Sequence, residues 1–237
     1  MNSQKKRSSV PIIPRSLDVQ AADVLRDEIL SGALAPGSRL LEIELSERLN
    51  LSRGTIRSAL QQLIHEGLVV QLPYRGCTVV GLTAQDAWEL YTLRNALEGF
   101  AAGLAATRLI PAKAEVLEAA LQQLIDTAQT EDWQAIANAD FNLHKTIFQL
   151  ADHRRLQQQY QIVEQQIRLY IASCNALQAD RNELVEQHIE LVKAICSGDA
   201  AIAEQVAKSH NTEGQLLIQQ LQTLERSPDS SPAKSEL

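Results

Sequence analysis

RLLEIELSERLNLSRGTIRSALQQLIHEGLVVQLPYRGCTVV, residues 39–80, is the stretch whose pattern decides the N-terminal fold. Leu41, Leu45 and Leu49 recur at helical spacing and stop at Asn50, a residue that tolerates a left-handed helix end. Ser52 is placed to cap a second helix running from Arg53 to about Glu66, with Gly67 as its terminator. On that helix Ile56, Ala59, Leu60 and Leu63 gather on one side, and Arg53, Arg57, Ser58 and Gln61 on the other. Leu68 to Val70 and Cys77 to Val80 read as strands joined by a tip at Pro73 to Gly76. Two short helices, a tight turn and a hairpin are the layout of a winged helix-turn-helix, whose second helix presents its polar face to base edges. Two helices and a turn also occur in many small helical domains, where surface arginines are merely solvated. The hairpin favours the DNA-reading layout.

Working outward, Leu17, Ala21, Leu25 and Ile29 mark an amphipathic helix that stops at Ser31-Gly32, before a turn at Ala35-Pro36-Gly37. Residues 1–15 hold KKR and two prolines without periodicity and read as a flexible tail, with neither a signal peptide nor a span behind it. Residues 16–81 then form the winged module. The chain of 237 residues carries a net charge of -7, which is unevenly divided. Residues 1–81 hold ten Lys and Arg against eight Asp and Glu; residues 82–237 hold twelve against twenty-one. A mildly basic module on an acidic partner domain is compatible with phosphate binding, which depends on local charge. Three widely spaced cysteines suggest neither a disulfide framework nor a thiolate metal site, and fit a reducing cytoplasm. Only 4% aromatic residues, with abundant Ala, Leu, Gln and Glu, indicate a mainly α protein.

The phrase G-x-R-L-x-E-x-x-L-S-x-x-L-x-L-S-R-x-T-I-R-x-A-L-x-x-L-x-x-E-G-L-V, from Gly37 to Val69, followed by P-x-R-G at Pro73 to Gly76, closely resembles the GntR family of bacterial transcription regulators. The resemblance covers nearly all of the N-terminal module. It implies that Arg53, Thr55 and Arg57 sit on the recognition helix, that Ser52 contacts backbone at its start, and that Gly76 lets the wing approach the minor groove. Two departures bear on the operator sequence: Gly54 stands where relatives often carry Thr or Ala, and Ile43 where some place a base-reading Arg.

From Thr83 the pattern changes to helices, expected at 84–108, 112–130, 133–151, 155–175, 180–197 and 200–226, which predicts an antiparallel all-helical bundle over 82–226. SPDSSPAKSEL, residues 227–237, reads as a disordered tail. Within these helices four polar residues interrupt apolar stripes. Asp140 and His144 lie in line with Ile136, Ala137, Ile147 and Phe148; His188 with Leu184, Leu191 and Ile195; His210 with Ala203, Val206, Leu217 and Leu221. Any one of these histidines alone is more simply a hydrogen-bonded core residue. A carboxylate and three imidazoles in register on three helices suit a divalent transition metal such as Zn, Ni or Mn.

D-x-x-x-H at 140–144, with the later His188 and His210, also resembles the FCD effector domain of the FadR subfamily of GntR regulators, whose metal ligands these positions match. L-R-x-x-L-E-x-x-A-A from Leu93 to Ala102 matches its opening signature, and the count of six helices looks like the VanR-type variant. His153, where relatives often have Asn, reads as a turn residue. Four protein ligands leave an octahedral ion open positions for a small carboxylate metabolite, with Arg94 pairing a second carboxylate and Arg168 a further candidate. An ordinary ion pair of Arg94 with Glu98 is the other reading. The resulting expectation is a non-enzymatic, homodimeric regulator that binds a palindromic operator under metabolite control. The rivals are a metal-dependent enzyme built on the Asp and three His, and a regulator whose metal is purely structural.

Overall fold

The computed structural model describes residues 15–175, 180–210 and 213–226; the tails expected at 1–15 and 227–237 lie, but for Arg15, outside the described residues. Helix α1 (Leu17–Leu30) is followed by strand β1 (Arg39–Leu40), helices α2 (Glu42–Leu49) and α3 (Arg53–His65), and strands β2 (Val69–Leu72) and β3 (Gly76–Val79). The strands form an antiparallel sheet of order β1-β3-β2. The two-residue strand β1 is additional to the expected hairpin: Arg39 pairs with Thr78 and Leu40 with Cys77, tying the chain before α2 to the wing.

Leu25, Ile29, Leu45, Ile56, Leu60, Leu63, Leu68 and Val79 form one buried cluster beneath the winged module. Two expected core leucines face outward. Leu41 is 43% exposed at the N-cap of α2, and Leu17 is 57% exposed at the first residue of α1. At both places the helix begins at the boundary of the core, and the Ala21/Ala22/Leu25 and Leu45 positions carry the burial instead. Arg26 locks α1 to the end of α3 with a two-pronged contact, Nε and Nη2 donating to the Glu66 carboxylate at 2.7 and 2.6 Å.

Helices α4 (Ala84–Thr107), α5 (Pro111–Ala128), α6 (Trp133–Leu150), α7 (Arg154–Asn175), α8 (Arg181–Cys196), α9 (Ala200–Ser209) and α10 (Glu213–Arg226) make the second domain. α4 starts with a capping box, Thr83 Oγ1 accepting from the Asp86 amide while the Asp86 carboxylate accepts from the Thr83 amide. It runs through the bundle as the central helix, and α9 lies against its small-residue side. A Cβ at Gly103 would stand 3.2 Å from the Ala200 carbonyl, so this close approach requires glycine or a displaced α9.

The helix expected over 200–226 is two helices, which corrects the count from six to seven among the described residues. α9 stops where His210 occupies its C-cap. The His210 imidazole donates to the Ala207 carbonyl at 2.7 Å, taking the acceptor that a continuing helix needs for its own ladder.

Candidate DNA-reading face and buried histidine centre

The recognition helix is built as its sequence demands. Ser52 has extended backbone angles, and its Oγ accepts from the Thr55 amide at 3.1 Å, satisfying one of the free donors at the start of α3. Thr55 Oγ1 lies 2.8 Å from Ser52 Oγ. Ile56, Ala59, Leu60 and Leu63 are buried, so Arg53, Arg57, Ser58 and Gln61 are presented outward. At the wing tip Tyr74 is fully exposed with φ of 60°, and Gly76 adopts φ of 80°. Nothing lies within 4 Å of a Cβ built on Gly76, so the backbone angle rather than crowding favours glycine there. A Cβ on Gly54 would meet only Ser52 Oγ at 3.7 Å, so the protein itself has room for the Thr or Ala of relatives. Arg57 is engaged by a carboxylate that sequence reading missed: its Nε and Nη2 donate to Glu42 Oε1 and Oε2 at 2.9 and 2.7 Å.

In the second domain, α6, α8 and the end of α9 bring Asp140, His144, His188 and His210 together, all 5% exposed or less. Asp140 Oδ1 lies 3.1 Å from His144 Nε2 and 3.2 Å from His188 Nε2. His144 Nε2 lies 3.2 Å from His188 Nε2 and 3.3 Å from His210 Nε2. The Nδ1 atoms of His188 and His210 donate to the carbonyls of Leu184 and Ala207, each at 2.7 Å. A carbonyl only accepts, so those protons sit on Nδ1 and both Nε2 lone pairs point inward. Burial, reinforced by the neighbouring His144 and His188, holds the His210 imidazole well below its usual pKa, in the neutral form.

The Asp140 carboxylate and the Nε2 atoms of His188 and His210 therefore converge on His144 Nε2, a set of donors that one shared cation could take together. Transition-metal ions bind imidazole nitrogen at about 2.0–2.1 Å, which requires nitrogens separated by about 2.9–3.4 Å between octahedral and tetrahedral limits. The observed nitrogen spacings fall within that range, so the donor set fits a divalent transition metal.

Behind the centre stands a second group of charges. His144 Nδ1 lies 3.2 Å from Glu98 Oε2, and Arg94 Nε donates to Glu98 Oε1 at 2.8 Å. Burial opposes ionisation of Glu98, yet Arg94 and then His144 hold its carboxylate well below the usual range. For His144, burial disfavours the charged ring, but the Glu98 charge and contacts with Asp140 raise its pKa overall. A carboxylate behind a ligating imidazole is the arrangement that orients the ring and strengthens it as a donor. The signal for Glu98 was its place one turn after Arg94, at the start of the mostly small and apolar second half of α4; its contact with His144 links two distant segments and had no local signature.

Arg94 thus forms the Glu98 ion pair, and its guanidinium also sits 6.0 Å from the Tyr170 ring centre on α7. Arg168, the further effector candidate, lies at the seam with the winged module. Ile167 and Tyr170 take the buried side of α7, and a rotation of about 100° per residue turns position 168 away. Arg168 donates to Asn138 at 2.8 Å and approaches Asp27 of α1 at 3.7 Å. The neighbouring Leu169 packs on the core of the winged module, and a Cβ on Gly67, at the end of the recognition helix, would overlap the Gln166 amide. One helix therefore contacts both the histidine domain's interior and the winged domain. His153 caps α7, its Nδ1 accepting from the Leu156 amide at 3.1 Å, as expected of a turn residue.

Comparison with known proteins agrees with both halves. Residues 17–79 match the family described as bacterial regulatory proteins, gntR family, and residues 89–213 match the FCD domain. A probable D-xylose utilization operon transcriptional repressor of Paenarthrobacter nicotinovorans is 26% identical over 191 residues, covering 81% of this chain and 84% of the relative. The gluconate operon transcriptional repressor of Bacillus subtilis is 30% identical over 146 residues, covering 60% and 58%. The crystal structure of a GntR-type transcriptional regulator from Rhodococcus superposes with a TM-score of 0.71 at 27% identity, covering 86% of this chain and 97% of that one. Among the described residues no helix is long and apolar enough to cross a membrane. The winged module, the helical domain behind it and these relatives together place the chain in the GntR family of bacterial transcription regulators, with an FCD effector-binding domain, and not among enzymes.

Proposed function

We propose that this regulator acts in the cytoplasm as a homodimer on a palindromic operator, and that a small hydroxy acid bound at a metal centre of the FCD domain sets its DNA affinity. Asp140, His144, His188 and His210 hold the metal; Zn, Ni and Mn all suit the donor set. The observation that carries this reading is the convergence of inward Nε2 lone pairs and one carboxylate, with two Nδ1 protons already committed to carbonyls. When bound, the ion supplies further coordination positions that accept oxygen ligands.

An acid is the effector class that an open metal position favours. Arg94 and Glu98 form a buried, mutually neutralised pair beside the histidines, with the Glu98 carboxylate 3.2 Å from His144 Nδ1. Tyr160 is 3% exposed, stacks on Phe148 at 3.9 Å, and has a hydroxyl without a hydrogen-bond partner. Such a group calls for a ligand atom or water. It lines a cleft of ≈ 180 Å³ between α6 and α7, with the Lys145–Glu164 ion pair at its edge and none of the four metal-binding side chains in its lining. Of the relatives, one is named for a gluconate operon, and gluconate is a polyhydroxy carboxylate.

Helix α7 is the route to DNA. It carries Tyr160 and Tyr170 on the effector side and Gln166 and Leu169 on the winged side, so a shift that seats the acid is felt at the end of the recognition helix. Dimerisation follows from DNA recognition: one recognition helix reads few base pairs, and a two-fold dimer reads a palindrome. Cys77, Cys174 and Cys196 form no disulfide with one another, which suits a reducing compartment. The test is operator retardation by metal-loaded protein across a panel of hydroxy acids including D-gluconate. The reading predicts that at least one acid changes operator affinity in the native protein and none does so in His188→Ala; equal affinity under every acid would count against effector control.

A further inference from the structure

The two arginines of the recognition helix differ in a way that composition does not reveal. Arg53 makes no ion pair among the described residues, whereas Arg57 is gripped along one edge by Glu42. Glu42 is the first residue of α2, 15 positions earlier in the chain, so the contact is tertiary. The carboxylate takes Nε–H and one Nη2–H of Arg57. The remaining N–H groups, on Nη1 and the far side of Nη2, form the end of the fork, which is the edge that binds guanine O6 and N7 in bidentate fashion.

We infer that Glu42 is a positioning residue for base readout: it fixes the plane of the Arg57 guanidinium so that its free end reads one guanine, and Arg53 reads no base through this device. The inference rests on the recognition-helix role of Arg57.

Energetics exclude a mainly structural purpose. The Arg57 side chain is 64% exposed and that of Glu42 33%, and a pair this open contributes little to folding. What it contributes is order. A free Arg side chain carries much rotamer entropy, part of which must be lost on contact with a base, and a two-point clamp removes part of it beforehand. A carboxylate at a DNA-facing surface also repels phosphates. Retaining one here lowers indiscriminate affinity, which raises the ratio of specific to non-specific binding. The Arg57 hydrogen bonds hold the Glu42 carboxyl below its usual pKa, so the clamp stays charged at neutral pH.

The test uses the full chain. Sites are selected from random duplex DNA with the native protein; each base pair of the selected site is then varied in competition binding against the native protein, Glu42→Ala, Glu42→Gln and Arg57→Ala. Glu42→Ala is expected to lose about tenfold of the discrimination at the same G·C pair that Arg57→Ala relaxes, within the range that one bidentate contact provides. Its affinity for unrelated DNA is expected to stay equal or rise. Glu42→Gln, which retains one oxygen for Nε–H, is expected to fall between. In the double variant, Arg57→Ala should cost nothing further at that pair. A uniform loss by Glu42→Ala across all sequences, or native discrimination in it, overturns the inference while leaving Arg57 as a reader. If Arg57→Ala changes no base preference, the base-reading role of Arg57 fails first, and the inference with it.

Discussion

Replacing Glu98 by Gln removes one charge from the interior while nearly preserving volume. Arg94 and Glu98 are each 3% exposed, and their contact at 2.8 Å is the ion pair recorded for Arg94 among the described residues. Removing one partner of a buried pair leaves the other charge uncompensated, at a cost of about 3–5 kcal/mol. Because the total stability of a domain is about 5–15 kcal/mol, the variant bundle should be markedly less stable. With a urea slope of about 1–3 kcal/mol/M, the unfolding midpoint should fall by roughly 2 M. A second effect should appear separately. Glu98 Oε2 stands 3.2 Å from His144 Nδ1, and loss of a partner behind a ligating His lowers metal affinity by about 10–100-fold. Urea titration of chelator-treated protein measures the first quantity and competition with a chromophoric chelator the second. The double variant Arg94→Met/Glu98→Leu is expected to recover most of the stability but not the metal affinity, since removing both charges of a buried pair is often neutral or better. A loss below about 1 kcal/mol in Glu98→Gln would instead show the pair to be equivalent to a solvated one.

Ser52→Ala removes the acceptor for the Thr55 amide and should cost about 1 kcal/mol, read as a lower melting temperature of the winged domain. Arg26→Ala breaks the two-pronged contact with Glu66 between α1 and α3 and should cost about 1.5–3 kcal/mol by denaturant titration, an effect of charged hydrogen bonds at a partly buried site. Gly103→Leu places a side chain where even a Cβ would stand 3.2 Å from the Ala200 carbonyl; overpacking of about 1–3 kcal/mol should push α9 outward and weaken metal binding through His210, seen by calorimetric titration.

The winged module was legible because its signals are local: the Asn50 stop, the Ser52 cap, the apolar side of α3 and the turn at the wing each lie within a few residues of the structure they specify. The histidine centre was legible for a different reason. Four polar residues in apolar stripes need partners, and helical spacing placed them on inward faces. Contacts between distant segments were not legible. Nothing near Leu40 shows that it pairs with Cys77, nor near Glu42 that it grips Arg57. The break after α9 was hidden because both halves continue the same apolar period, and only the His210 contact with Ala207 reveals a cap. The place of Arg168 at the seam between the domains was not legible either, because it depends on contacts with Asn138 and with Asp27 of a distant segment.

Metal binding by the four buried side chains is measured by elemental analysis. Chelator-stripped protein is incubated with Zn, Ni or Mn, dialysed exhaustively and measured for bound ion. One divalent ion per chain in the native protein, with little retained by His188→Ala or His210→Ala, is the result predicted. No retained ion in the native protein, or full stoichiometry in both variants, would contradict it.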